Sequence, residues 1–328
     1  RKLMVERAMF GGALVLTLMG FVQNVQQLVA LRAVQGALTG TVTAAMALVA
    51  STAPRERSGY ALGLLQMAVW SGASVGPLLG GLIADTWGYR ATFWATGTLL
   101  LIAGLTVWRF VHEDFEPVHQ EGGRDGFWDG VKLVLRDRGL LSLFSIRLLV
   151  RMATRLMAPV LPLFIQEIAA ATARIASLTG LISGVRAASG AVGSITLGRA
   201  SDRLGYRRVL LACTTAVVIL YVPQFFVTAP WQLLVLQGAL GLVMSGVLAS
   251  VSAMLSTLAP EGRQGAVYGV DASVVSTANA VGPMLGATVA ATWGLRAPFL
   301  LAAGAFALAT VLVWFLVPRA RKGPAVPG

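Results

Sequence analysis

Along this chain apolar residues run in blocks of about 20, the length of helix that crosses the hydrocarbon core of a bilayer, with short polar turns between them. The blocks lie at 8–23, 26–50, 59–84, 91–110, 140–166, 175–197, 207–227, 230–257, 265–290 and 298–317, and predict about ten membrane-spanning helices. One long polar stretch, 111–138, divides four spans from the six that follow, and its end, FWDGVKLVLRDR, has the pattern of a short surface helix. The chain therefore reads as 1–110, four helices of an N-terminal half; 111–138, a cytoplasmic linker; 139–318, a six-helix C-terminal half; and 319–328, a cytoplasmic tail.

The two halves are related. PRERSGYALGLLQMAVWSGASVGPLLGGLIADTWGYRATF at 54–93 returns 206 positions later as PEGRQGAVYGVDASVVSTANAVGPMLGATVAATWGLRAPF, without a gap. The copies share Gly63/Gly269, Gly76-Pro77/Gly282-Pro283, Gly80/Gly286, Trp87-Gly88/Trp293-Gly294 and Arg90/Arg296. An apolar repeat of this period is how many transporters are built, with two pseudo-symmetric halves around one path. At the same period Arg207-Arg208 align with Arg1-Lys2, and the span near 140 aligns with a position before the first residue. The expectation is that two helices of a twelve-helix design are absent.

Composition narrows the function classes. The 328 residues are 56% apolar and 12% charged, and the mean hydropathy is +0.74, which excludes most soluble folds. The net charge of +12 does not require a nucleic acid. If the spans alternate and the loop with Arg55 and Arg57 is cytoplasmic, most of the 26 Lys and Arg fall on that side, whereas Arg90, Arg174 and Arg296 face outward. Both termini are then cytoplasmic, in a multi-pass protein of the cell membrane. One cysteine, Cys213, gives no intramolecular disulfide, and the two histidines, His112 and His119, give no metal-ligand pattern. No phosphate-binding loop or nucleophile elbow is present, so no enzyme chemistry and no cofactor are expected.

Three motifs carry more specific chemistry. Gly63, Gly72, Gly76-Pro77 and Gly80-Gly81 follow the spacing G-x8-G-x3-G-P-x2-G-G. Glycines at every fourth position make a flat helix face for close packing, and Pro77 removes a backbone donor and bends the helix. Gly198, Asp202, Arg203, Gly205, Arg207 and Arg208 form a short polar reversal between spans. There Gly205 permits the tight turn, and Asp202 either caps a helix or pairs with an arginine. The third, Leu28 to Gly36, places Arg32 and Gln35 inside a span. A charge there costs several kcal/mol unless it faces a cavity or snorkels to the interface.

In these three motifs the chain resembles the major facilitator superfamily, and within it the twelve-helix drug/proton antiporter branch that includes bacterial multidrug-resistance efflux proteins. The resemblance covers essentially the whole chain as helices three to twelve. It implies an all-α integral membrane protein of major facilitator fold with about ten transmembrane helices in two pseudo-symmetric halves. It also implies that the glycine-rich helix seals one side of the pathway, that Gly198–Arg208 latches one conformational state, and that Arg32 takes part in proton coupling.

The resemblance does not account for Arg147, Arg151 and Arg155. At i, i+4 and i+8 they lie on one helix face and rise about 12 Å. Either they line a cationic cavity, with Arg186 from the next span, or carboxylates on the two absent helices balance them, or Arg147 sits at the cytoplasmic surface. Asp271 is the clearest carboxylate inside a span; it is read as the proton site or as a structural partner of an arginine. Gln66 and Trp70, on the glycine-rich helix, offer a polar contact and a stacking face, or packing alone. The function expected is export of small amphipathic molecules by alternating access with proton antiport, in a monomer, with the bilayer, the substrate and protons as partners. The alternatives are a facilitator for sugars, organic anions or metabolites, and a non-transporting paralogue.

Overall fold

The computed structural model describes residues 2–38, 45, 48–49, 58–111, 127–169, 174–260 and 263–316, and among them the chain is entirely helical. It divides into two compact units, Arg1–Glu121 and Gly122–Gly328. Among the described residues eight helices are long and apolar enough to cross a membrane.

In the first unit α1 (Lys2–Met19), α2 (Val25–Leu38), α3 (Ser58–Trp87) and α4 (Tyr89–Phe110) follow one another. Helix α1 packs on α4 and α2, and α3 packs on α4. Small residues bring the backbones together: a Cβ on Gly97 would meet the Thr17 Oγ1 at 2.7 Å. Val15, Leu16 and Met19 fill the space between α1, α2 and α4 with Leu28, Leu31, Phe93 and Leu100. The apolar block at 8–23 is shifted in the structure, where α1 begins at Lys2 and ends at Met19. Its charged first turns hold helical shape because Lys2 pairs with Glu6 at 3.5 Å and donates to the Trp108 carbonyl. Those charges keep α1 out of the eight apolar spans, and α2 is described only as far as Leu38.

The second unit contains α5 (Phe127–Arg136), α6 (Arg138–Ile168), α7 (Ile175–Leu204), α8 (Tyr206–Gln224), α9 (Pro230–Leu258), α10 (Gln264–Trp293) and α11 (Ala297–Leu316). Asp137 starts α6 by accepting hydrogen bonds from the Gly139 and Leu140 amides at 2.7 and 2.9 Å. Helices α7 and α9 pack most extensively on each other. A Cβ on Gly193 would lie 2.3 Å from the Leu242 carbonyl, and one on Gly241 would lie 2.1 Å from the Arg186 carbonyl. Around this pair α8 packs on α9 and α11, α11 on α6, and α6 on α10.

The repeat is visible in the backbone. Helix α10 starts and ends 206 positions after α3, and each is followed by a glycine at positive φ, Gly88 at 84° and Gly294 at 88°. Two residues later an arginine reaches back to a carbonyl on the preceding turn-and-helix of its own unit. Arg90 donates to the Val22 carbonyl at 3.1 Å, and Arg296 to the Phe225 carbonyl at 2.8 Å.

Candidate functional site

The strongest polar feature in the apolar interior of the second unit is an ion pair between α6 and α10. Both helices begin at the end of the unit where α5 lies, so Arg147 and Asp271 stand at similar depth, about 14 and 11 Å from their helix starts. Arg147 presents its guanidinium fork to the carboxylate: Nη2 donates to Asp271 Oδ2 at 2.7 Å, and Nε meets Oδ1. Nη1 donates to Ser252 Oγ of α9 at 3.3 Å, so three helices meet at this guanidinium. Each residue of the pair is 8% exposed. Arg147 is therefore not a surface cation, and its balancing carboxylate comes from its own unit.

Arg151 and Arg155 continue the same face of α6. Arg151 is half-buried and Arg155 exposed. Among the described residues neither forms a salt bridge. The backbone beside them is in close contact with α10: a Cβ on Gly282 would meet Arg155 Cβ at 2.7 Å, and one on Gly286 would meet the Leu156 carbonyl at 2.0 Å. Arg186 does not join this face by a hydrogen bond. Its Nη1 donates to Gln237 Oε1 at 3.2 Å, and Gln237 Nε2 donates to Gln224 Oε1 at 2.9 Å. The sequence reading missed both glutamines, although they are fully buried. A polar side chain inside an apolar run was the available signal.

In the first unit Arg32 is exposed, donates to Gln35 Oε1 at 3.0 Å and lies 5.9 Å from the centre of the Phe93 ring. Pro77 lies inside α3, Gly81 is buried and Trp70 half-buried. Among the described residues a Cβ on Gly72, Gly76 or Gly80 would meet nothing within 4 Å. The same spacing that brings α10 against α6 thus meets no neighbour on α3 among the described residues. Gly63 and Gln66 belong to α3, and their surroundings lie outside the described residues.

The loop motif takes neither of the two forms expected for Asp202. Helix α7 runs on to Leu204, and Gly205, at φ 91°, is both its C-cap and the N-cap of α8 with no side-chain cap. Asp202 therefore does not cap α8, and among the described residues it pairs with no arginine; it lies in the last turn of α7 and accepts from the Tyr206 hydroxyl at 3.1 Å. Gly198 precedes it with nothing within 4 Å of a built Cβ, and Arg203 and Arg208 are exposed. Arg207 donates to the Trp314 carbonyl at 2.7 Å and lies over its ring, joining α8 to the end of α11.

Comparison with known proteins agrees with this architecture. The profile of the Major Facilitator Superfamily matches residues 1–176 and 143–328. The Multidrug resistance protein MdtG of Dickeya zeae (strain Ech586) is 38% identical over 320 residues, which cover 97% of this chain and 78% of the relative. MdtG of Salmonella dublin is 35% identical over 321 residues, covering 98% and 79%, and that of Citrobacter koseri is 35% identical over 322. The protein is thus a multi-pass membrane transporter of small molecules, not an enzyme, and is related to these multidrug-resistance proteins. With two overlapping profile matches, the helical repeat and relatives aligned along nearly its whole length, the chain belongs to the major facilitator superfamily.

Proposed function

We propose that the protein exports small amphipathic molecules by alternating access, with proton entry as the driving force and Asp271 as the group that takes and releases the proton. The observation that carries this reading is the buried Arg147–Asp271 pair, which joins two helices of the second unit inside the membrane. Protonation neutralises Asp271 and removes the attraction that holds α10 to the Arg147 guanidinium. Loss of the proton restores it, so one titration favours one of two helix arrangements. One charge moved across 100 mV is worth about 2.3 kcal/mol, enough for roughly a fifty-fold gradient of a neutral solute. On this reading both termini are cytoplasmic, Arg32 and Gln35 supply a further polar contact on the proton's route, and the monomer suffices.

The relatives named multidrug resistance proteins support the substrate class. The test is uncoupler-sensitive efflux of a fluorescent amphipathic dye from cells expressing the protein, beside an Asp271→Asn variant of equal membrane abundance. Efflux that stops with the uncoupler and is lost in the variant supports the proposal. Efflux that persists in Asp271→Asn removes the proton from this residue. A second reading, transport of organic anions, is favoured by Arg151 and Arg155, which have no salt bridge among the described residues. It predicts uptake or efflux of acidic solutes that falls in an Arg151→Gln variant while transport of neutral dyes is retained.

A further inference from the structure

The short helix α5 is amphipathic in an unusual sense, because its outward face carries large apolar side chains as well as charge. Gly130 and Val134 are buried, and Val131 and Leu133 pack against the core of the second unit. At 100° per residue the opposite sector, about 100° wide, holds Trp128, Lys132, Leu135 and Arg136. Trp128 is 72% and Leu135 64% exposed, and Lys132 and Arg136 are also exposed. The apolar pair occupies one margin of this sector and the cations the other. The helix's acidic position, Asp129, falls just outside the cationic margin.

We infer that α5 is a docking surface for anionic phospholipid of the bilayer in which the protein is embedded. Position supports this occupant. Helix α5 ends at Arg136 and the membrane-spanning α6 begins at Arg138, so the exposed face is held at the bilayer surface by its connection to α6. Charge and shape support it too. Trp at the headgroup level, an aliphatic side chain beside it and two cations alongside are the groups by which an interfacial helix binds an anionic lipid surface. The docked lipid is also linked to the interior. A Cβ on Gly130 would lie 2.8 Å from the Ala266 carbonyl, so α5 rests directly on the first turn of α10, about one and a half turns before Asp271. Lipid bound to α5 therefore bears on the helix that carries the buried carboxylate.

A direct test uses lipid contact, independent of transport. Cys213 is buried, so an environment-sensitive thiol label attaches selectively to a Leu135→Cys variant of the full chain. The labelled protein is reconstituted in vesicles in which either phosphatidylglycerol or phosphatidylcholine carries brominated acyl chains at the same mole fraction. Quenching is expected from both, with a relative binding constant favouring phosphatidylglycerol about fivefold or more. Adding Lys132→Gln and Arg136→Gln should bring that constant to about one, because each cation near an anionic surface contributes roughly a factor of five. Trp128→Gln, which keeps both cations, should preserve the preference and weaken quenching by both lipids. Equal quenching by the two lipids in the starting protein, or a preference unmoved by the charge changes, overturns the inference. Absence of quenching by either lipid also overturns it and indicates that water or another protein covers this face.

Discussion

Replacing Gly286 by alanine adds one methyl group at the tightest point between α6 and α10. The new Cβ would stand 2.0 Å from the Leu156 carbonyl oxygen, roughly 1.4 Å inside ordinary van der Waals contact. The obstacle is backbone, which cannot rotate away as a side chain would, so the helices must separate along the seam that includes Gly282 and the Arg147–Asp271 pair. Overpacking of this kind costs about 2–3 kcal/mol, a fall in melting temperature of roughly 4–12 °C for a unit of this size. Gly269 lies on the same helix, and among the described residues a Cβ there meets nothing within 4 Å. Gly269→Ala should therefore be neutral or stabilise by up to about 1 kcal/mol through helix propensity alone. The assay is supplied by the protein: its single cysteine, Cys213, is buried in the second unit, so a thiol-reactive dye reports unfolding of that unit. If Gly286→Ala melts within 1 °C of the unaltered protein, or if both variants shift alike, the argument from close backbone approach is wrong.

Three further outcomes follow from particular contacts. Removing either partner of the buried ion pair, by Arg147→Met or Asp271→Leu, should cost about 3–5 kcal/mol, and the double variant should recover most of it, as measured by a thermal double-mutant cycle. Gln237→Leu strands both the Arg186 guanidinium and the Gln224 amide and should cost about 1–3 kcal/mol, with Gln224→Leu added to it costing less than the sum of the two single changes. Arg296→Ala removes the bond to the Phe225 carbonyl and the guanidinium over the Phe164 ring, and is expected to raise amide hydrogen exchange after the end of α8, about tenfold at Val227.

Helix existence was legible in the apolar blocks, and the repeat made α3 and α10 the best placed. Their blocks at 59–84 and 265–290 fall inside helices at 58–87 and 264–293, where the glycines that end both helices supply the positive φ needed. Hydropathy placed the start of α1 too late because a window average treats Lys2, Glu6 and Arg7 as loop, whereas an i,i+4 pair lets them continue the helix. The arginine face of α6 followed from spacing alone. Its partner did not, because the choice of Asp271 for Arg147 depends on the register of α6 against α10, set by Gly282 and Gly286 far along both helices. Spacing also could not say which side of a glycine stripe is filled, and the matching stripes of α3 and α10 differ on that point. Gln224 and Gln237 belong to no motif, and only their meeting across two helices makes them a site.

The Arg147–Asp271 pair is not explained by cohesion. Helices α6 and α10 are already in backbone contact at Gly282 and Gly286, and van der Waals contact of that kind is what holds helices together in lipid. An ion pair adds little to such a seam, because withdrawing two charges from water costs several kcal/mol per ion and well-packed apolar side chains of similar volume hold as firmly or better. What an ion pair has and an apolar pair lacks is a second state. The carboxylate can be neutralised by a proton, and the guanidinium then keeps Ser252 of α9 as a hydrogen-bond partner while losing the ionic attraction to α10. On the proposed function, breaking the pair shifts the balance between two arrangements of α10 against α6 without unmaking the unit, since the packing of α7 on α9 and of α8 on α9 and α11 does not pass through it. On that proposal, stability and switching lie on different residues of the same seam. Alanine at Gly286 is expected to lower the melting temperature, whereas apolar replacement of both charges is expected to spare it and abolish coupling to protons.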